Sequence, residues 1–319
     1  MKAGILHQLG TNPIYGDFEN PQPQQGQLIV NVKAAAIKQV DRSKVAGRHY
    51  TTFASLPVVP GIDGVGTLPN GDAVYAWGLT GMFAEQAVIE DGRYTPLPKG
   101  LDFALAAALP NALVGSDMAL LYRAQIRAGQ TVLINGATGA TGKIAVQMSK
   151  YRGAQKVIVT GRNQAVLNDL LLLGADEIIP LMQDDETIIN QIQESFKATP
   201  IDIVIDYLWG HPVELILKAI NGLPPYKITI VTVGEMAGST INLPSGILRS
   251  RMVQLLGSGI GSLSKKDIAD YLETELPAIF SLAAQGKLVM EVATFPLSEI
   301  ESVWSRDETS GKRNVIIME

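Results

Sequence analysis

Residues 131–150, TVLINGATGATGKIAVQMSK, constrain this chain more than any other stretch. A five-residue apolar run passes directly into Gly136-Ala137-Thr138-Gly139-Ala140-Thr141-Gly142, and then into an amphipathic pattern of helical period. Glycines at this spacing let the backbone turn sharply, let it approach a ligand closely, and let the helix sit against the strand. The free N–H groups and the positive end of the helix dipole then face the turn, which favours phosphate. Ala137, Thr138, Gly139, Ala140, Thr141 and Gly142 are therefore expected to cradle a pyrophosphate, with Thr138 and Thr141 adding hydroxyl donors. A tight turn without a ligand is the alternative. The context of strand, turn, helix and second strand favours the dinucleotide site.

The second strand bears on which dinucleotide. An NAD site carries an acid about 20 residues on, which bonds the ribose 2′-hydroxyl. Here the run at 156–160 (KVIVT) ends in Gly161-Arg162-Asn163, with no acid and with Arg162 in its place. A guanidinium there takes a 2′-phosphate by paired hydrogen bonds and stacks on adenine. The expected cofactor is NADP(H), with Gly161, Arg162 and Asn163 around its adenosine end. A solvated surface Arg162 is the other reading.

Further β-branched runs at 177–180, 201–207, 227–234 and 252–257 alternate with helix-spaced stretches at 143–151, 164–173, 186–196 and 212–220. Repetition at this pitch predicts right-handed βαβ units and a parallel sheet covered on both faces. Residues 1 to about 112 read differently. Short apolar runs at 27–32, 57–66, 73–76 and 83–89 are separated by turn residues and by Pro21, Pro23, Pro57, Pro60, Pro69, Pro96 and Pro98. This predicts hairpins or a small barrel without long helices. Residues 263–319 predict a helix at 265–285, a strand near 288–293, a short helix at 297–304 and a strand at 314–318. That tail is expected to return to the first region. The expected domains are 1–112 with 263–319, and 113–262, in keeping with about 150 residues per domain.

Composition excludes several classes. None of the 319 residues is Cys, so disulfides, thiolate metal sites and a Cys nucleophile are ruled out. The net charge of −5 provides no basic excess for a phosphate backbone, so no nucleic acid partner is expected. The N-terminus MKAGILHQLG lacks the apolar core of a signal peptide. The most apolar stretch, 103–121, contains Pro110, Asn111, Gly115, Ser116 and Asp117 and falls short of the roughly 20 apolar residues of a membrane span. A cytoplasmic protein without membrane contact is expected.

With these residues in view, the chain resembles, over nearly its whole length, the zinc-free, quinone oxidoreductase-like branch of the medium-chain dehydrogenase/reductase superfamily. Residues 131–154 resemble its cofactor turn, an alanine-and-glycine pattern falling on Ala137, Gly139 and Gly142. LPVVPGIDGVG (56–66) is similar to its Pro-x-x-x-Gly-x-Asp motif, and GDAVYAWGLTGMFAEQAVI (71–89) to its Gly-Asp-x-Val strand and the Ala-Glu strand after it. Residues 101–120 and 286–300 resemble its linker helix and C-terminal return.

The resemblance implies an α/β architecture: a GroES-like β-barrel catalytic domain built from both chain ends, and an inserted Rossmann doubly wound parallel sheet. Nicotinamide and substrate would lie in the cleft. It also implies cofactor contacts from Val233 and Gly234, and a homodimer paired through an edge strand. Leu208 and Trp209 follow a strand end, where ligands of open parallel sheets lie. Trp209 either covers cofactor or acceptor or packs as an interface aromatic. Gly259 permits close cofactor approach or a hinge. In zinc-dependent relatives a catalytic Cys, a metal ligand, precedes a Thr-Asp pair. The matching stretch here is Ala36-Ile37-Lys38-Gln39-Val40-Asp41, with Lys38 at the Cys position. The four-Cys structural zinc loop is absent, and His7, His49 and His211 are dispersed. No metal is expected.

Three residues are catalytic candidates. Lys38 either faces the cleft and holds an enolate or is a surface lysine. Tyr50 lies near the proton-donating Tyr of related enoyl reductases. Two residues separate it from Gly47 where those relatives have one, which leaves His49 as the competing match. Asp41 either serves the chemistry or caps the following helix. The expected activity is NADPH-dependent, zinc-independent hydride transfer to a small-molecule quinone or conjugated enone or enoyl carbonyl, with a placed donor for the developing oxyanion. The alternatives are an alcohol or aldehyde oxidoreductase, and a non-catalytic NADPH-binding protein that senses redox state or binds RNA.

Overall fold

The computed structural model describes residues 1–49, 51–306 and 311–318, so the candidate Tyr50 lies outside the described residues. The chain forms two compact units, Met1–Asn111 with Ala269–Glu319, and Ala112–Ile268. In chain order the strands are β1 (Lys2–Ile5), β2 (Ile14–Asp17), β3 (Gln27–Ala36), β4 (Asp63–Thr67), β5 (Ala73–Gly78), β6 (Gln86–Pro96), β7 (Thr131–Asn135), β8 (Lys156–Gly161), β9 (Glu177–Pro180), β10 (Ile203–Asp206), β11 (Ile228–Thr232), β12 (Val253–Gly257), β13 (Val292–Pro296) and β14 (Arg313–Ile317). The helices that matter here are α1 (Gln39–Val45), α2 (Phe103–Gly115), α3 (Ala140–Tyr151), α4 (Gln164–Leu172), α5 (Asp185–Ala198) and α6 (Gly210–Asn221).

In the second unit six parallel strands lie in the order β12-β11-β10-β7-β8-β9. This is the doubly wound Rossmann arrangement. Strands covered on both faces lose alternation, which explains why β7 and β10 are buried at every position. From β7 the chain steps outward to β8, and from its neighbour β10 it steps outward the other way to β11. That reversal opens a crevice at the carboxyl ends of the strands, where ligands of such sheets bind.

The first unit holds a closed antiparallel barrel. The ten-residue β3 pairs with β6 along its first half and with β4 further on, and β4–β5 and β5–β6 complete the ring. β14 adds to β3 antiparallel, and β13 adds to β14 parallel. Gly66 is required by close approach: a Cβ there would lie 2.2 Å from the Asn31 carbonyl oxygen across the β3–β4 pair. The barrel core includes Leu6, Ile37, Phe83, Ile89 and Ile316, with Phe83 meeting Trp304 edge-on at 5.4 Å.

Three sequence expectations changed. The helix at 265–285 is Lys265–Asp270, a π-helical turn at Tyr271–Glu275, and Leu276–Ala284. Pro277 has no N–H to give to an earlier carbonyl, and the wider turn before it absorbs that loss. The strand near 288–293 starts instead at Val292, because its register is set by β14, while Leu288 is buried outside it. The apolar stretch forms the helix expected at 101–120, as Phe103–Ala124, but by length and composition alone it could cross a membrane, where it was expected to fall short of a span. Neither Pro110 nor Ser116 breaks it, Ser116 donating its hydroxyl to the Ala112 carbonyl at 2.6 Å. In this fold 72% of its most apolar window is buried within the protein.

Phe83→Ala should lower the unfolding free energy by about 3–5 kcal/mol, the usual cost of a large aromatic removed from a closed core. Chemical denaturation followed by far-UV circular dichroism measures this.

Candidate functional site

In the second unit the glycine turn leaves β7 at the crevice. Gly136 adopts φ +87°, the left-handed region that favours glycine. Gly139 caps the N-terminus of α3 with extended backbone, and the space where its Cβ would lie is open. A Cβ on Gly142 would lie 2.5 Å from the Ala137 carbonyl oxygen, so helix and turn are in direct backbone contact. A Cβ on Gly161 would come within 2.5 Å of the Thr138 methyl group, which places the end of β8 against the same turn. Ala137, Thr138, Gly139, Ala140, Thr141, Gly142 and Gly161 thus form one surface. The Ala137 N–H is spent within the turn, donating to the Thr160 carbonyl at 2.8 Å, while the N-terminus of α3 that follows suits phosphate, and the chemistry of this donor set fits a dinucleotide.

The remaining expected cofactor residues are distributed around the strand ends. Arg162 is exposed directly after β8. Asn163 is committed locally: its Oδ1 accepts the Val166 N–H at 3.2 Å and caps α4. Leu208 lies over the turn, its side chain 2.7 Å from where a Gly136 Cβ would sit. Trp209 caps α6 with φ +52° and ψ −156°, a region almost reserved for glycine. Its indole packs, half-buried, on the apolar cluster of the unit. Val233 and Gly234 follow β11, and a Gly234 Cβ would lie 2.7 Å from the Tyr207 carbonyl oxygen. Gly259 is placed apart, past the edge strand β12, where its N–H donates to Ser262 Oγ at 3.0 Å. Arg123 holds that segment through the Gly257 and Ser262 carbonyls.

A buried polar group that sequence reasoning missed supports this surface. Asp206, fully buried at the end of β10, accepts from Asn135 Nδ2 at 2.8 Å and from the Leu208 and Trp209 N–H groups. Burial pushes its carboxyl above the usual range, against the pull of those donors. The signal was present in IDIVIDY, an acid closing an apolar strand, but its partner Asn135 is 71 residues away and meets it only in the sheet register.

In the first unit Lys38 caps the N-terminus of α1 and is 1% exposed. Its Nζ pairs with Asp63 and lies 3.3 Å from Asp41 Oδ2. Asp41, the third residue of α1, also accepts the Lys38 and Ile62 backbone N–H groups at 3.1 and 3.2 Å. The capping expected of Asp41 is thus made backward from within the helix. Tyr75 donates to Asp63 Oδ2 at 2.8 Å, and Trp77 Nε1 donates to Tyr75 Oη at 2.8 Å. An ammonium open to an acceptor was one expectation; the structure encloses it between two carboxylates. Burial presses the Lys38 amine downward, but the charges of Asp41 and Asp63 outweigh it and leave it raised. Burial raises Asp41, with Lys38 opposing and Asp63 adding. Burial also raises Tyr75, reinforced by Asp63. Asp63 and Tyr75 stood in the quoted motifs without a role, because only barrel pairing brings them to Lys38. The set does not suit zinc, since a protonated lysine offers no lone pair. Among the described residues no group of three His, Cys, Asp or Glu is placed to hold a metal.

Lys38→Met should cost about 3–5 kcal/mol at neutral pH, because two carboxylates are left buried without their cation. Those orphaned acids bind protons more tightly folded than unfolded, so the variant's stability falls as pH rises. Thermal melts from about pH 4 to about pH 8 should show the deficit smallest in acid and largest at the alkaline end, above the ordinary carboxylate range. A deficit independent of pH would contradict the ion cluster.

Comparison with known proteins agrees with this geometry. The family described as zinc-binding dehydrogenase matches residues 140–275, which lie outside the Lys38 cluster. The Emericella nidulans protein named probable NADPH-dependent quinone reductase tdiC is 29% identical over 346 aligned positions, 96% of each chain. The quinone oxidoreductase of Rattus norvegicus is 30% identical over 219 residues, 65% of each chain. The quinone oxidoreductase from Thermus thermophilus, whose structure was also solved in complex with NADPH, superposes with a TM-score of 0.80 at 27% identity, covering 99% of this chain and 100% of that one. With the doubly wound sheet, the closed barrel and the glycine turn in place, this chain belongs to the medium-chain dehydrogenase/reductase superfamily, in its quinone oxidoreductase-like branch.

Proposed function

We propose that this chain is an NADPH-dependent, zinc-independent reductase that delivers hydride to a quinone or a conjugated enone or enoyl carbonyl. The observation that carries this reading is the open glycine turn at the N-terminus of α3, with the exposed Arg162, and no acid, at the end of the adjacent β8. The names of the Emericella and Thermus relatives, one NADPH-dependent and one solved with NADPH, support the same choice.

In this reading the amides of residues 138–142 hold the pyrophosphate, with Ala137 shaping the turn, and Gly161, Arg162 and Asn163 flank the 2′-phosphoadenosine. Leu208, Trp209, Val233 and Gly234 line the way to the nicotinamide end, while Gly259, placed apart and held by Ser262, takes no part. Reduced nicotinamide supplies the hydride. Conjugation spreads the developing negative charge over the acceptor, which lowers the demand for a Lewis acid. The absence of Cys and the ammonium at the position of a metal-ligating Cys support independence from zinc. Tyr50 is the proposed proton donor. Lys38 and Asp41 act at one remove: they fix the start of α1, the helix that leads the chain toward Tyr50.

NADPH oxidation against 1,4-quinones, enones and saturated aldehydes, with NADH as control, tests the reading. Turnover of conjugated acceptors with NADPH is expected, and a preference for NADH or for aldehydes would overturn it. Arg162→Ala should raise the KM for NADPH by about 10–100-fold while leaving that for NADH unchanged, the effect of losing charge-assisted bonds to one phosphate. Tyr50→Phe should lower kcat by about 100-fold or more, the usual contribution of a positioned acid. An unchanged kcat would reassign the proton donor.

A further inference from the structure

Three neighbouring strand ends of the parallel sheet are joined by an unbroken series of side-chain hydrogen bonds. The Gly136 N–H donates to Thr160 Oγ1 at 3.0 Å, the Thr160 hydroxyl donates to Asn135 Oδ1 at 2.7 Å, and Asn135 Nδ2 donates to Asp206 Oδ1 at 2.8 Å. Thr160 and Asp206 are wholly buried and Asn135 is 1% exposed. Each link donates in the same direction, from the glycine turn toward the carboxylate, so the charge at one end polarises every bond up to the Gly136 amide. Asp206 also accepts the Leu208 N–H at 3.1 Å and the Trp209 N–H at 3.0 Å.

The second branch of the network returns to the same glycine. Asp206 holds Trp209 at a backbone angle that few residues other than glycine adopt, and the Leu208 side chain rests on Gly136. The loop after β11 is tied in as well, with the Ala237 N–H donating to the Leu208 carbonyl at 2.7 Å and the Val233 N–H to the Asp206 carbonyl at 2.8 Å. An apolar side chain would serve the sheet at position 206 without the desolvation penalty of a buried acid. Every polar contact of this carboxylate is instead directed at the glycine turn or at the loop that covers it.

We propose that Asp206 is a positioning residue for nucleotide binding: through Asn135 and Thr160 it fixes the Gly136 amide, and through Leu208 and Trp209 it presses the neighbouring loop onto the same glycine. The phosphate-binding turn is thereby ordered before the ligand arrives, so binding loses less entropy. This inference rests on the nucleotide reading above and adds to it a residue that touches no phosphate.

The test uses the full chain without ligand and then with NADPH. Asp206→Asn keeps the size and one acceptor oxygen but removes the charge. Amide hydrogen exchange in this variant should accelerate about tenfold or more in peptides covering 136–142 and 207–210, with peptides from α5 and β9 unchanged. The NADPH Kd, read from protein fluorescence, should rise about tenfold, as for a lost charge-assisted network. Asn135→Leu breaks the middle link and should give the same pattern, and the double variant should bind no more weakly than the weaker single variant. Acceleration spread evenly over the whole unit, additive losses, or local loosening with an unchanged Kd would each overturn the proposal. A wild-type chain that does not bind NADPH would remove the nucleotide reading and the binding role with it, while the exchange pattern would still decide whether Asp206 orders the turn.

Discussion

A carboxylate taken out of water must find a cation or several N–H donors, and the organisation of both units follows from meeting that demand. In the second unit Asp206 draws in Asn135 from β7 and two backbone amides from the loop after β10. In the first, Asp41 and Asp63 share one ammonium, and Tyr75 and Trp77 extend the set across β5. Each acid stands where a strand or helix begins or ends. Satisfying it therefore fixes the loops that start there, and those loops carry the candidate chemistry.

The two networks differ in kind. The Asp206 network is neutral apart from its one charge and accepts the backbone N–H groups of Gly136, Leu208 and Trp209, which stiffens a turn. The Lys38 cluster is an ion network with two carboxylates to one ammonium. A lysine there provides a fixed positive charge that needs no metal, but it is consumed by Asp41 and Asp63.

Much of the fold was legible because its signals are local. Thr131–Asn135 and Glu177–Pro180 were read with their observed bounds, since β-branched runs between glycine-rich turns have few other conformations available. The tail was less legible. The register of Val292–Pro296 depends on β14, and the π-helical turn at Tyr271–Glu275 depends on how one proline is accommodated in a packed helix. The apolar helix Phe103–Ala124 was read as too interrupted to resemble a membrane segment, yet helical geometry carries it past Pro110. Composition measures polarity along the chain and does not report which face is turned inward.

The amino-acid sequence by itself determined the glycine turn, the absence of an acid after the second strand, the loss of cysteine and the alternation that makes a parallel sheet. Apart from the cysteine count, which composition alone supplies, each depends on residues within about 30 positions of one another, the length of one βαβ unit. Only the tertiary structure decided that Asp206 meets Asn135 and through it Thr160, that Lys38 is enclosed by Asp41 and Asp63, and that Leu208 covers Gly136. Strand pairing brings Asp206 to Asn135 across 71 positions, and the barrel brings Asp63 to Lys38 across 25. Their strength comes from burial, which no stretch of sequence displays.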